Sequence, residues 1–183
     1  MKKALIVVDM QHDFIFGSLG SKHAQAIVDA VCRKIESFDG EIFYTRDTHE
    51  HATYMETTEG KGLPVIHCIK ESAGWALDSR VEASLRAKYA DEDAFSAHGV
   101  DKPCFGSPAL AEKISEIAIS DVELIGLCTD VCVISNAVLL RNLHPHMVVS
   151  VDASCCAGVT PESHETALSA MKACGIIITG EDA

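Results

Sequence analysis

The chain has 183 residues, of which 48% are hydrophobic, and this length and composition suit one well-buried domain over residues 1–183. Its 27 acidic residues outnumber 15 basic ones, giving a formal charge of -12 that argues against nucleic acid or an anionic membrane surface as the main partner. No apolar stretch is long enough to cross a bilayer, so we expect no membrane partner.

The N-terminal segment runs from Lys2 directly into a strand-like sequence, with no cleavage signal between them. We therefore expect a cytoplasmic protein whose eight cysteines are reduced. The aliphatic run Lys3–Val8 predicts a strand that is covered on both faces, because it lacks the alternation of a half-exposed strand. Asp9 follows at the carboxyl end of this strand.

A helix is predicted from an N-cap at Ser21 to about Phe38, with apolar residues at helical spacing. A second strand is predicted at Glu41–Thr45. From Thr48 to Ser72 neither the helical nor the strand period holds, although the apolar run Leu63–Ile66 argues against disorder. An irregular connection of this length inside a compact domain is usually functional.

The rest of the chain alternates between helical and strand patterns. These patterns predict helices at Trp75–Lys88, Ser107–Ala118 and Thr160–Ala173, and strands at Ala94–Val100, His146–Val151 and Gly175–Thr179. Such alternation indicates a parallel sheet with helices on both faces. Ligands bind outside the carboxyl ends of the strands in sheets of this kind.

The segment Val122–Leu140 has the pattern of a strand, a polar turn and a helix that begins near Cys132. Free backbone N–H groups and the positive end of the dipole at a helix start favour a thiolate. Cys132 is therefore a candidate nucleophile. Most cysteines are simply small buried residues, and nearby Cys128 fits that description.

A second group of polar residues surrounds the irregular segment. Asp47 precedes it, and His49, Glu59 and His67 lie within it. This mixture of carboxylates and imidazoles suits zinc, iron or manganese. His51 is an alternative to Glu59, although some of the nine histidines must be surface residues.

Three motifs together resemble a known superfamily. Gly126–Val133 (GLCTDVCV) is similar to the nucleophile motif of the isochorismatase-like cysteine hydrolases, which include the nicotinamidases. Val7–Phe14 (VVDMQHDF) resembles their first strand, which ends in the catalytic Asp, and Asp101–Ser107 (DKPCFGS) resembles the segment with the catalytic Lys. Their order along the chain is the family order.

The resemblance implies a role for each of these residues. Cys132 would be the nucleophile, Asp9 the general base, and Lys102 a cation that stabilises both. Backbone N–H groups of Cys128 and Cys132 would hold the oxyanion, next to a cis peptide bond at Leu127–Cys128.

The resemblance also implies a metal centre and a pocket. Leu63–Cys68 is similar to the nicotinamidase segment that ends in a metal-binding His, so the expected ligands of one divalent ion are Asp47, His49, Glu59 and His67. Zinc is the first expectation, with iron or manganese as alternatives, and the ion would bind a pyridine nitrogen. Phe14 matches an aromatic pocket wall, but the Trp that nicotinamidases commonly carry before the final His is missing here.

These features lead to one main functional prediction. The resemblance implies a three-layer α/β/α, Rossmann-like fold with a six-stranded, mainly parallel sheet, and a homo-oligomer. The predicted activity is hydrolysis of a small non-peptide amide through a thioester, in the manner of a nicotinamidase. The alternatives are a metal-free N-carbamoyl amidase, another hydrolase of the family, and a ligand-binding protein without turnover.

Overall fold

The computed structural model describes residues 2–181 and contains a six-stranded sheet in the order β3-β2-β1-β4-β5-β6. All five pairs of neighbouring strands are parallel. The strands are β1 (Lys3–Val8), β2 (Glu41–Asp47), β3 (Gly99–Lys102), β4 (Asp121–Leu127), β5 (Val148–Ala157) and β6 (Ile177–Thr179). This sheet confirms the predicted α/β, Rossmann-like class.

Helices cover both faces of the sheet. They are α1 (His12–Ile15), α2 (Lys22–Ser37), α3 (Thr58–Gly62), α4 (Ser79–Arg86), α5 (Glu92–His98), α6 (Pro108–Glu116), α7 (Ile134–Leu143) and α8 (Pro161–Ala173). One core packs α6, α7 and α8 against the sheet, and the other packs α1, α2, α4 and α5 against the opposite face. In the part of the chain that the structure describes, none of these helices is long and apolar enough to cross a membrane.

The first strand shows why the sheet is buried on both sides. Leu5 and Val7 point into one core, whereas Ala4, Ile6 and Val8 point into the other. Successive side chains of a strand face opposite sides, so a run that is apolar at every position is stable only between two covering layers.

Local capping signals placed several helices correctly. The side-chain oxygens of Ser21, Ser107 and Thr160 accept the N–H groups of Ala24, Leu110 and Ser163, as expected for the N-caps of α2, α6 and α8. Pro161 occupies the first turn of α8, where a missing N–H is harmless.

The predicted helix at Trp75–Lys88 begins later than expected. It starts at Ser79 because the Asp78 carboxylate accepts the N–H groups of the first turn. Residues 73–76 form turns and a bend, and Leu77 forms an antiparallel bridge with Gln11. This bridge attaches the segment to the end of β1.

The short strand predicted within Ala94–Val100 was correct only in its last two residues. Residues Glu92–His98 form α5, which begins where the Asp91 carboxylate accepts the N–H of Ala94 at 2.9 Å. The strand follows at Gly99–Lys102. This arrangement makes Lys102 the last residue of β3.

The predicted boundaries of β2 and β5 were also too short. β2 continues to Asp47, and β5 runs from Val148 to Ala157. Asp152, predicted to end a strand, lies inside β5 and forms an ion pair of 2.9 Å with Lys34 of α2. Lys34 also pairs with Glu123 of β4 at 2.9 Å, so it joins α2 to two strands.

The sheet reverses its winding direction between β1 and β4. The chain moves outward from β1 through β2 to β3, then returns to the other side of β1 with β4. Ligand sites in open parallel sheets lie at such a switch point, outside the carboxyl ends of the strands. Gly126 lets the two strands approach, because a Cβ atom there would lie 2.1 Å from the carbonyl oxygen of Val8.

Candidate active site and metal centre

Asp9, Lys102 and Cys132 meet at the carboxyl ends of β1, β3 and β4. The Lys102 ammonium lies 2.7 Å from Asp9 Oδ2 and 3.3 Å from Cys132 Sγ. All three residues are buried. The structure thus brings together the three side chains that the sequence motifs selected.

Asp9 is held by the neighbouring strand. Thr45 Oγ1 donates to Asp9 Oδ1 at 2.6 Å, and the Asp9 N–H donates to the Thr45 carbonyl oxygen at 3.2 Å. These bonds hold Asp9 at a φ of 47°, a left-handed conformation that is uncommon for a residue with a side chain. Among the described residues, the other carboxylate oxygen, Oδ2, has the Lys102 ammonium as its ion-pair partner and no further hydrogen-bond partner.

Burial and the neighbouring charges act in opposite directions on the pKa of the Cys132 thiol. Burial raises the pKa of the Cys132 thiol, the negative charge of Asp9 raises it further, and Lys102 only partly opposes them. Burial would lower the pKa of Lys102, but the negative groups around it raise that pKa well above its usual value. Burial and the Asp9 charge thus favour the thiol form of Cys132, whereas Lys102 favours the thiolate, as expected of a neighbouring cation.

The backbone around Cys132 also differs in detail from the prediction. Residues Thr129–Val133 form a π-helical turn, and α7 begins only at Ile134, so Cys132 lies inside the turn. The peptide bond Leu127–Cys128 is cis, as predicted. Burial and the nearby Asp130 raise the pKa of Cys128 to about 12, so its side chain is a neutral thiol.

Four side chains form a compact cluster next to the cysteine. One ligand atom from each of Asp47, His49, Glu59 and His67 lies within 4.8 Å of the others. His49 Nε2 is 2.9 Å from Asp47 Oδ2 and 3.3 Å from Glu59 Oε1. His67 Nε2 is 3.3 Å from the same Asp47 oxygen and 3.5 Å from the same Glu59 oxygen.

The donor set of this cluster fits a divalent metal. Two imidazole nitrogens and two carboxylates match the ligand preferences of zinc, iron and manganese. His67 Nδ1 bonds to the Val65 carbonyl oxygen at 2.8 Å, so that nitrogen is the donor and Nε2 faces the cluster. Burial would lower the pKa of His67, but Asp47 and Glu59 raise it to about 10, which shows that the centre favours positive charge.

The structure includes Glu59 in this cluster and leaves His51 exposed. The segment between His49 and His67 contains a 3-10 turn at Tyr54–Glu56 and the short helix α3. Its ends are also joined by the protein itself, since the N–H of His49 donates to Cys68 O and the His49 carbonyl accepts from Lys70. This order explains how a sequence without clear periodicity holds a precise arrangement.

A cavity of about 670 Å³ opens beside both groups. It is lined by Phe14, Leu19, Ser21, Ala24, Asp47, Thr57, Thr58, Glu59, Gly62, Leu63, His67, Pro103, Cys104, Phe105, Cys128, Val131, Cys132, Gly158 and Val159. Phe14 lies edge-on to His67 with ring centroids 5.6 Å apart, as expected of a pocket wall. Trp75 is not in the lining, because it stacks under Arg46 at 3.8 Å and donates to Thr48 Oγ1.

Sequence reasoning missed the residues that support these groups. The Gln11 amide accepts the Asp47 N–H at 2.7 Å and donates to the Asp47 carbonyl oxygen at 2.8 Å. Asn136 donates to the carbonyl oxygens of Phe105 and Cys132, joining the lysine segment to the cysteine turn. Thr45 and Gln11 reach Asp9 and Asp47 across 36 positions of sequence, and Asn136 reaches Phe105 across 31, so the strand order would have been needed to find these contacts.

Comparison with known proteins gives one consistent result. Residues 3–182 match the family described as Isochorismatase domain. The chain is 28% identical over 176 residues to the uncharacterized isochorismatase family protein PncA of Bacillus subtilis (strain 168), with 92% of this chain and 93% of that protein covered.

Solved structures agree with this match. The nicotinamidase/pyrazinamidase PncA from Bacillus subtilis is similar with a TM-score of 0.85 and 26% identity over 98% of this chain and 100% of that one. Pyrazinamidase of Pyrococcus horikoshii in complex with zinc is similar with a TM-score of 0.76 and 27% identity over 98% and 99% of the two chains. The resemblance inferred from the three motifs is confirmed, and the chain belongs to the isochorismatase family of hydrolases.

Proposed function

We propose that the protein hydrolyses the C–N bond of a small, non-peptide amide through a thioester on Cys132. The observation that carries this proposal is the contact of one buried ammonium, Lys102, with both Asp9 and the Cys132 sulfur at the edge of a cavity. Nucleophilic catalysis by cysteine needs a base within reach of the thiol and a charge that stabilises the reacting group. These three residues supply both.

The first half of the reaction transfers an acyl group to sulfur. Asp9 takes the thiol proton as the Cys132 sulfur attacks the amide carbonyl carbon. Backbone N–H groups of Cys128 and Cys132 hold the oxyanion that forms. When the C–N bond breaks, the proton on Asp9 passes to the nitrogen, so that ammonia or an amine leaves and a thioester remains.

The second half releases the acid. Asp9, again a carboxylate, takes a proton from water as the water oxygen attacks the thioester carbonyl. The C–S bond breaks, the proton returns to sulfur, and a carboxylic acid leaves. Lys102 stays protonated throughout, because losing its proton would leave the buried Asp9 charge unpaired.

We propose that Asp47, His49, Glu59 and His67 hold a divalent ion, with zinc as the first choice. The mixed donor set supports this assignment, as does the zinc found in the Pyrococcus horikoshii pyrazinamidase. When bound, the ion would supply a Lewis acid that accepts an electron pair from the substrate. His67 and Asp47 line the cavity, so a substrate atom bound there would lie next to Cys132.

Nicotinamide is the first compound to test, because several similar structures are nicotinamidases or pyrazinamidases. The decisive experiment measures ammonia release from a panel of small amides by the wild type, Cys132→Ala and Cys174→Ala, with zinc, iron or manganese added. Cys174 is an exposed cysteine outside the cavity and serves as the matched control.

We expect Cys132→Ala to lose at least about a thousandfold in kcat/KM, on the scale known for removing a nucleophile. Cys174→Ala should behave as the wild type. Substantial turnover by Cys132→Ala would rule out the thioester, and activity that is indifferent to chelation would favour the metal-free amidase.

A further inference from the structure

We infer that the physiological substrate is an uncharged amide whose acyl group carries an apolar substituent larger than one aromatic ring. This inference rests on the proposed function and adds to it the class of substrate. It follows from the size of the cavity, the side chains at its opening and the charge of the protein.

The cavity is larger than a simple aromatic amide requires. Its volume of about 670 Å³ falls within the range of about 300–1,000 Å³ that holds drug-sized ligands. A single ring with one carboxamide has a volume of roughly four or five waters, about 120–150 Å³ at ~30 Å³ per water. Most of the cavity would remain unfilled with such a ligand.

The opening of the cavity carries exposed apolar side chains. Leu63, Phe105 and Val159 line the cavity and are 37%, 40% and 61% exposed. They come from three separate segments: the irregular connection, the stretch after β3 and the turn before α8. Three large apolar groups converging on one opening can be covered by an apolar ligand that extends outward from the reacting carbon.

The backbone holds this opening in place. The N–H of Val159 donates to both carboxylate oxygens of Asp130 at 3.1 and 3.3 Å. The Phe105 carbonyl oxygen accepts from Asn136 at 3.0 Å. The apolar side chains therefore stand on anchored backbone next to the cysteine turn, as a preformed binding surface requires.

Charge excludes acidic substituents. The charged groups in the cavity lining are the carboxylates Asp47 and Glu59 and the imidazole His67, all of which belong to the cluster. The protein as a whole has a formal charge of -12, which disfavours approach by an anion. An aryl or branched alkyl substituent at the opening would instead contact Leu63, Phe105 and Val159.

The test measures binding separately from turnover. Isothermal titration calorimetry on the full-length Cys132→Ala protein gives the Kd of benzamide and of benzamides with a butyl or phenyl group at the meta or para position. Because benzamide has no ring nitrogen, its binding does not require a bond between the ion and such a nitrogen. We expect at least one substituted compound to bind about tenfold tighter or more, since each buried methylene contributes about fourfold.

Variants in the same Cys132→Ala background locate the substituent. Phe105→Ala should reduce the preference for substituted compounds by about fivefold or more, since it removes one wall of the opening. Phe16→Ala is the matched control, because Phe16 is 51% exposed but is not part of the cavity lining. It should leave the preference unchanged.

The inference is overturned if no substituted benzamide binds tighter than benzamide, or if Phe105→Ala keeps the full preference. It is also overturned if Phe105→Ala changes the oligomeric state of the protein and leaves the Kd values of the benzamides unchanged. That result would mean that a second copy of the chain covers the opening. Ammonia release by the wild type from the same compounds tests the proposed function separately. If the substituted compounds bind more tightly but no ammonia is released, the proposed function is wrong and the binding preference still holds.

Discussion

Replacing Thr45 by valine should reveal how Asp9 is kept ready to act as a base. Valine has nearly the same shape as threonine but lacks the hydroxyl that donates to Asp9 Oδ1 at 2.6 Å. Thr45 is completely buried, so water has no easy access to replace that hydrogen bond. The backbone bond from the Asp9 N–H to the Thr45 carbonyl oxygen would remain.

The expected loss follows from the worth of a buried hydrogen bond to a charge, about 1.5–3 kcal/mol. If that bond is needed in the transition state, kcat/KM should fall by about tenfold to a hundredfold. Burial raises the pKa of Asp9, and the Thr45 hydroxyl is one of the groups that lower it again. Without the hydroxyl the pKa of Asp9 rises further, so less of it is ionised at low pH and the acid limb of the pH–rate profile moves to higher pH.

The assay is ammonia release measured as kcat/KM across pH, with Thr45→Ser as the matched control. Serine keeps the hydroxyl and loses one methyl group, so it should cost about 1 kcal/mol of stability through a small cavity and leave the pH profile in place. Wild-type kcat/KM and an unmoved acid limb in Thr45→Val would refute the positioning role of Thr45. If Thr45→Val and Thr45→Ser had equal effects on kcat/KM and on the pH profile, Thr45 would contribute only through packing.

Three further outcomes are expected. Lys34→Met should reduce the free energy of unfolding in urea by about 2 kcal/mol near neutral pH. Burial would raise the pKa of Asp152, but the hydrogen bond from Lys34 lowers it below 3.8. The difference in stability is therefore present above pH 4 and should shrink as the pH falls through the pKa of Asp152 in the folded protein. Chelation or His67→Ala should speed hydrogen exchange in residues 55–62, whereas substitution of the exposed His51 by alanine should not. Equal exchange in all samples would show that a metal does not stabilise this segment. Gly126→Ala should lower the melting temperature by roughly 5 °C or more, because its Cβ would lie 2.1 Å from a carbonyl oxygen of β1, and a normal melting temperature would show that the strands can separate at little cost.

Much of the fold was predictable because its signals are local. The run Lys3–Val8 is apolar at every position, and β1 has these bounds. Ser21, Ser107 and Thr160 each cap the helix that they were expected to start. Capping and periodicity depend on residues a few positions apart, so they can be recognised without knowing what lies across the sheet.

The errors occurred where two local signals competed. Residues 94–100 contain enough apolar side chains for a short strand, but Asp91 caps a helix there and Phe95 packs into the core beside Tyr44. Trp75 was assigned to a helix, yet it lies in a turn, and the bridge from Leu77 to Gln11 joins that stretch to the segment after β1. Tertiary contacts outweighed propensity in both places.

The sequence alone determined which residue types the site contains, because three motifs in a fixed order named Asp9, Lys102 and Cys132, and the residue types around the irregular segment predicted a metal site. Only the tertiary structure decided that Lys102 contacts both partners, that Glu59 rather than His51 joins the cluster, and that Thr45 supports the carboxylate. The physical reason is that these contacts form across the sheet. Parallel strands bring together residues far apart in the chain, and the resulting distances depend on strand order and register, which no local pattern encodes.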